Sequence, residues 1–475
     1  MNINLMWFRS DLRLTDNEAL YTACKNKKDK VLGLFTSLPK QWKKNNMSYK
    51  KSQFIYEHIF NLSKEMFKIG IIFYYYEVNS NSVLKKLIVK FCLKHKINSV
   101  FYNYQYEHIE KECDVDIKKK LNINNISMNG FHGNLLLSPK KMLTKVNSAY
   151  KVFHLFKKKM ISKLKVVNFV IFPKPSRRKL NIVYKCRIYS FKFPRENFDK
   201  NIFPVGEKNA LLKLNKFCLQ KIKKYFLYRD YPAFKSNSFL SPYLSIGVLS
   251  PKQCFLKSIE KECNFLENKF VLKWINELIW RDFFKHLLNG YPILSKNQSL
   301  RKWEGKLVWK NNMYFFKMWK KGKTGYPIVD AGMKQLNELG WINNRLRMVT
   351  ANFLVKNLLV DWRLGEKYFM SKLIDGDFSS NNGGWQWISS IGCDNAPYVR
   401  TFNPISQCQR FDYLCNYIKS FLKELLHIPI RCIHNPGLCK CIQKKFVRYP
   451  TFIVMYNIEY KKFLHFIQLA KNMSN

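Results

Sequence analysis

Acidic residues are scarce in this chain: 32 Asp and Glu face 83 Lys and Arg, a net charge of +51. That imbalance points to a polyanionic partner, because each cation set beside a phosphate releases counterions. A compositional reading competes with it. Lys, Asn, Ile and Phe crowd the whole chain, and runs such as Lys118-Lys119-Lys120 and Lys157-Lys158-Lys159 look like drift toward one codon class. Arg is rarer and clusters late, so it is the more informative cation. Long apolar runs are missing too. No stretch approaches the roughly 18 uninterrupted apolar residues of a membrane-spanning helix. Arg9, Asp11 and Arg13 follow straight after a short apolar stretch, unlike a secretory signal. The expectation is a cytoplasmic protein whose 13 Cys are reduced thiols. No G-x-G-x-x-G follows the first apolar run, which argues against ordinary dinucleotide binding there. What the chain has in quantity is apolar surface, 47% of residues, with 16% aromatic. That suffices for one large or two ordinary cores.

The first part of the chain alternates. Apolar runs Ile3–Phe8, Val31–Phe35, Ile71–Tyr76 and Val100–Tyr104 read as buried parallel strands. Between them, Gln53–Ile69 and Val83–His95 carry helical period. This order predicts an α/β, doubly wound parallel-sheet (Rossmann-like) domain over residues 1–133. Residues 134–203, rich in Lys, Pro and Arg, read as a linker with a few helical turns. Residues 204–475 read as a mainly α-helical domain, with helices at Phe270–Gly290, Pro327–Leu339 and Arg345–Leu359.

Three blocks carry chemistry. Leu373-Ile374-Asp375-Gly376-Asp377-Phe378-Ser379-Ser380-Asn381-Asn382-Gly383-Gly384-Trp385-Gln386-Trp387 joins acids, amides and glycines to two indoles. The glycines permit close backbone approach and the amides can bond a heteroaromatic edge. A tight loop followed by a core helix explains the block equally well. In Trp274-Ile275-Asn276-Glu277-Leu278-Ile279-Trp280-Arg281, residues 274, 277 and 281 share a helical face. That face suits a nucleobase, which needs stacking and an edge hydrogen bond. It also suits a plain ion pair between Glu277 and Arg281. In Gly340-Trp341-Ile342-Asn343-Asn344-Arg345-Leu346-Arg347-Met348, Asn344 and Met348 share a face. Arg345 and Arg347 suit phosphate contacts or the neutralising of Asp375 and Asp377, with an internal pair favoured for Arg347.

These blocks, with Gly322-Lys323-Thr324-Gly325-Tyr326-Pro327, Met6-Trp7-Phe8-Arg9-Ser10-Asp11-Leu12-Arg13-Leu14, Phe101–Glu107 and Tyr150-Lys151-Val152-Phe153, strongly resemble the photolyase/cryptochrome family. The resemblance runs end to end and is closest to bacterial class I cyclobutane pyrimidine dimer photolyases. It implies an antenna domain followed by a helical domain that holds FAD. By matched position, Tyr225, the turn Asn237, Ser238, Phe239, Leu240 and Ser241, and Trp274, Asn344, Asp375, Gly376, Asp377 and Asn381 contact the flavin, with Asn381 at N5. Glu277, Trp280, Asn344, Met348 and Trp387 meet the lesion. Arg229, Arg281, Arg345 and Arg400, with Glu277, Trp280 and Trp387, meet DNA. Trp309, Trp362 and Trp385 match an electron route to the flavin. Ile109 and Glu110 fall at the antenna site, implying 5,10-methenyltetrahydrofolate.

The activity the resemblance implies is light-dependent repair. Excited reduced FAD gives an electron to a cyclobutane pyrimidine dimer flipped out of DNA, the ring splits, and the electron returns. Glu277 stabilises the dimer radical anion, and Trp280 and Trp387 wedge around the two pyrimidines. The protein is expected to be a monomer with no membrane attachment. The alternatives are a cryptochrome photosensor, a six-four photolyase and a general nucleic-acid-binding protein. Two departures stand out. The family's Thr-Ser-Arg-Leu-Ser turn reads Asn237-Ser238-Phe239-Leu240-Ser241, and the Val-Asn-Glu of the antenna site reads His108-Ile109-Glu110. Cys432, His434, Cys439 and Cys441 lie close in sequence, but their spacing is not a standard metal pair, so no metal is expected.

Overall fold

The computed structural model describes residues 2–178, 187–188, 191–262, 264–394, 399, 401–439 and 449–473. Six parallel strands, β1 (Ile3–Phe8), β2 (Lys30–Ser37), β3 (Ile72–Glu77), β4 (Ser99–Asn103), β5 (Ser127–Phe131) and β6 (Arg187–Ile188), form one sheet in the order β5-β4-β1-β2-β3-β6. The doubly wound α/β class read from the sequence is correct. Central β1 sits between β2 and β4, with Leu5 opposite both Leu32 and Val100. Both its faces are covered, which is why it reads as a mainly apolar run, interrupted only by Asn4. The sequence reading passed over β5 and β6. β5 is a half-exposed edge strand carrying Ser127, Asn129 and Gly130, so it has no apolar signature. β6 has only two residues.

Helices that connect the strands include α1 (Glu18–Ala23), α2 (Tyr49–Lys68), α3 (Asn81–Lys94) and α4 (His108–Ile123). The remaining chain is helical, including α5 (Ile222–Tyr228), α6 (Ser241–Ser245), α7 (Lys269–Gly290), α8 (Pro327–Leu339), α9 (Asn344–Asn352), α10 (Trp362–Lys372), α11 (Phe378–Ile388), α12 (Pro404–Phe411), α13 (Asn416–Phe421) and α14 (Ile430–His434). The helix expected over Arg345–Leu359 is shorter. α9 ends at Asn352, and a π-helical turn, Phe353–Asn357, follows.

The chain divides into two compact units. One comprises Met1–Ile222, Ser238–Ser295 and Ile374–Asp377; the other comprises Lys223–Asn237, Lys296–Leu373 and Phe378–Asn475. This division cuts the chain differently from residues 1–133, 134–203 and 204–475, because the segment 238–295 is bonded to the loop that follows β1. Leu12 N donates to Ile246 O at 3.2 Å. Arg13, fully buried, uses every guanidinium N–H: to Asp16 O at 3.1 and 3.0 Å, Asn134 Oδ1 at 3.2 Å, Gly133 O at 2.7 Å and Gly247 O at 2.8 Å. Gly247 has φ +70°, and a Cβ there would collide with Ser10 O, so the chain approaches this closely only without a side chain.

The second unit has its own apolar core, running from α8 through Trp362 and Trp385 to Phe463 and Ile467. Cys432 and Cys439 are joined as a disulfide, correcting the expectation of thiols throughout. α14 and the turn after it bring their Cα atoms to 5.1 Å. Cys441 lies outside the described residues. Among the described residues, no helix is long and apolar enough to cross a membrane.

Arg13→Met removes a buried cation and leaves its carbonyl partners and the nearby Asp11 and Asp16 uncompensated. It is expected to cost about 3–5 kcal/mol in unfolding. Arg13→Lys is expected to recover only part of this, because three rotatable donors do not reproduce a planar fork. Wild-type thermal unfolding in Arg13→Met would refute the assignment.

Candidate active site

The residues expected at the site fall in both units. In the first, α6 starts at Ser241, whose Oγ donates to Asp375 Oδ2 at 2.7 Å. Two neighbouring cations balance the acids of this block. Lys285, on α7, pairs with Asp377 at 2.7 Å, and Lys51, on α2, donates to Gly376 O. Burial pushes the Lys51 ammonium down, and Asp377 and Asp375 draw it back up. Both lysines escaped the sequence reading, because ordinary lysines are abundant in this chain and neither sits in a motif. The turn before Ser241 carries Phe239 at φ +54°, a left-handed conformation that costs an aromatic residue strain. Leu240 N bonds Ser238 Oγ at 3.3 Å.

On α7, Trp274 is buried and packs against Phe217 at 5.2 Å between centroids. Glu277 and Trp280 are half-buried. One face of Trp280 is covered by Phe153, stacked at 3.5 Å and 7°. Arg281 turns inward. Its side chain is only 13% exposed, donates to Asn134 O at 2.8 Å and Leu244 O at 3.3 Å, and pairs with fully buried Asp282. Three of its five guanidinium N–H groups are spent on internal acceptors. Desolvation pushes Asp282 up to about 6, although Arg281 and Leu136 N favour its charged form.

At the antenna positions, Ile109 is exposed, and Glu110 Oε1 accepts from Gln41 Nε2 at 2.6 Å. Burial, with Glu107 beside it, pushes the Glu110 carboxyl up to about 7.

In the second unit, Asn343 joins two groups of expected residues. It caps α9, accepting from Arg345 N at 2.7 Å, while its Nδ2 donates to Arg229 O at 2.7 Å. This clamps the end of α5, with Tyr225 beneath the Arg229 guanidinium at 5.3 Å, to the start of α9, where Asn344 and Met348 meet at 3.8 Å. Arg345 pairs with Asp230 at 3.3 Å and lies over Phe411 at 4.4 Å. Arg347 donates through Nε to Ile342 O at 3.1 Å. Arg400 lies outside the described residues, and Asn237 sits at the edge of this unit.

α11 carries most of the Leu373–Trp387 block. Asn381 lies inside the helix and so is not its cap; its Nδ2 donates to Glu366 O, on α10, at 3.1 Å. Its neighbour Asn382 donates to Glu366 Oε1 at 3.0 Å and accepts from Gln386 at 2.9 Å. A Cβ on Gly384, one turn beyond Asn381, would meet no described atom within 4 Å. Trp385 is buried against Phe369 and Trp319, and a Cβ on Gly365 would strike its ring. Trp362 is fully buried and donates to Glu304 at 3.3 Å. Trp309 is half-buried against Phe466 at 5.4 Å, beside exposed Val308 and Lys310. Trp362 and Trp385 belong to one buried core, and the partly buried Trp309 and Trp387 pack against it.

The held carboxylates of the first unit, and the anchored amide and buried indoles of the second, are groups of the kinds that bind flavins. Residues 274–468 match the family model described as the FAD binding domain of DNA photolyase, and residues 4–176 match that of DNA photolyase. The chain belongs to the DNA photolyase family. The deoxyribodipyrimidine photo-lyase of Buchnera aphidicola subsp. Acyrthosiphon pisum is 47% identical over 476 residues, covering 99% of this chain and 98% of that one. Among solved structures, this photolyase-family chain is similar to a Synechocystis cryptochrome, with TM-score 0.85 and 28% identity over 98% and 99% of the two chains. It is also similar to a Sulfolobus tokodaii photolyase with two FAD molecules, with TM-score 0.79 and 29% identity over 98% and 99%.

Burial holds the Glu366 carboxyl up at about 7, against an ordinary 4.5, even though Asn382 bonds its charged form. The fold therefore favours the protonated acid, and stability falls as pH rises from 4.5 to about 7. Glu366→Gln keeps the acceptor and removes the charge. It is expected to be more stable than wild type by about 1–3 kcal/mol above neutral pH and to converge with it in acid, by thermal unfolding across pH. A pH-independent difference would refute this.

Proposed function

We propose that this chain is a light-driven DNA repair enzyme of the deoxyribodipyrimidine photo-lyase type, acting on cyclobutane pyrimidine dimers. The observation that carries this reading is its near-full-length similarity to a relative of that name. FAD, when bound and reduced, supplies a light-absorbing one-electron donor. The residues assigned to it are Ser238–Ser241, Trp274, Asp375, Gly376 and Asp377, with Lys285 and Lys51 balancing the acids, and Asn237, Tyr225, Asn344 and Asn381. Because Asn381 Nδ2 is fixed on Glu366 O, its amide oxygen is oriented as an acceptor. Such an acceptor suits the N5–H of a reduced flavin.

Glu277 hydrogen-bonds the flipped dimer. Trp280, backed by Phe153, and Trp387 supply the apolar wedge. Asn344 and Met348 do not titrate, and splitting a cyclobutane ring requires no proton shuttle. Six-four repair does require one, and the related enzymes place His at these two positions. Arg229, Arg345 and Arg400 are assigned to the DNA backbone; Arg281 is not. Trp309, Trp362 and Trp385 carry electrons to oxidised flavin. Glu110, with Gln41, is assigned to a methenyltetrahydrofolate antenna beside Ile109. The protein acts as a cytoplasmic monomer.

The purified protein should show a flavin spectrum and, under blue light, restore an oligonucleotide carrying one thymine dimer. Light-dependent flavin reduction without repair would favour a photosensor. Efficient repair of an oligonucleotide carrying only a six-four lesion would overturn the lesion assignment. Trp309→Phe is expected to abolish photoreduction of oxidised flavin yet, after chemical reduction, to repair dimers at near wild-type yield. Surviving photoreduction would place the electron route elsewhere.

A further inference from the structure

The second unit contains a side-chain cluster that light-driven repair does not use. Cys408 lies on α12, Cys415 precedes α13, and His434 ends α14. A ligand atom from each lies within 4.8 Å of the other two. Both cysteines are buried, at 2% and 0% exposure. Among the described residues, His434 Nε2 is buried with no hydrogen-bond partner. A ring nitrogen withdrawn from water is costly unless something engages it. The turn between α12 and α13 is rigid. Asp412 accepts from Tyr417 N at 3.0 Å and Ile418 N at 2.8 Å, while Cys415 N donates to Asp412 O at 2.8 Å. Cys415 itself is held at φ +56°, an uncommon conformation for a residue other than glycine.

We propose that Cys408, Cys415 and His434 form a zinc site that fastens α12, α13 and α14 together. Two sulfurs and an imidazole nitrogen are a borderline-soft donor set, which selects zinc over magnesium or calcium. Binding releases two thiol protons. Two thiolates then neutralise the dication, so the filled site carries no net charge into an apolar core. The fourth tetrahedral position is left to water. Asp412 lies within electrostatic reach of His434 and spends its oxygens on backbone N–H groups, so it steadies the site without ligating. The set is not the Cys432, His434, Cys439 and Cys441 group that lies close in sequence. Cys432 and Cys439 are bonded to each other, and His434 turns to two cysteines that precede it by a helix and more.

The test uses full-length flavin-containing protein, dialysed against a chelator and titrated anaerobically with Co2+, whose d–d bands lie to the red of oxidised flavin. The expected result is one bound equivalent with a tetrahedral, thiolate-ligated spectrum that Zn2+ abolishes by displacement. Cys408→Ser and His434→Gln should each weaken binding about tenfold or more, while Cys432→Ser retains it. The half-buried position of His434 makes its variant the one least prone to misfolding. Absence of stoichiometric binding by the wild-type protein would overturn the site, as would a spectrum without thiolate ligation. A loss in Cys432→Ser equal to that in Cys408→Ser would overturn this ligand set.

Discussion

One buried guanidinium organises the sheet-containing unit. Arg13 leaves the carboxyl end of β1 and reaches Asp16, the Gly133-Asn134 turn after β5 and the Gly247 turn after α6. A cation removed from water this completely is tolerable only when every N–H is met and acids stand nearby, and Asp11 and Asp16 do. Around it, Asn103 at the end of β4 bonds Asp11 at 2.6 Å and Gly133 N at 3.0 Å, and Arg9 pairs with Asp114 at 2.9 Å. In doubly wound sheets, the strand ends flanking the reversal of strand order commonly bind a nucleotide. Here the ends of β1 and β4 hold a network of protein groups, consistent with the missing glycine fingerprint.

The helical unit rests on a different constraint: acids and amides buried as fixed scaffolding. Glu366 orients Asn382, Asp330 is met by Thr324, Gly325 and Tyr449, and Asn343 joins α5 to α9. Each replaces water with fixed donors, so the side chains beside it, Asn381, Asn344 and Arg229, stand on rigid elements. A cofactor enzyme whose protein part mainly positions and tunes needs such rigidity.

The large positive charge obscures how the cations are used. Arg9, Arg13 and Arg281, and the lysines Lys51 and Lys285, are turned inward to acids and carbonyls. Arg345 shares its charge with Asp230. Counting cations therefore overstates the charge that stands free at the surface.

The sequence by itself determined the strands of the α/β core and the helices at 269–290 and 327–339, because an apolar run or a continuous helical period marks each of them. It also determined family membership, because the motifs are long and lie in order. It did not reveal β5, whose polar edge carries no period, or the two-unit division, which depends on bonds between residues more than a hundred positions apart. Nor did it show that Arg281 faces inward, that Lys285 answers Asp377, or that His434 meets Cys408 and Cys415 in place of its sequence neighbours. Local pattern fixes which face of a helix is apolar. Only packing decides which distant group stands opposite a given charge, and that choice separates a DNA contact from a buried ion pair.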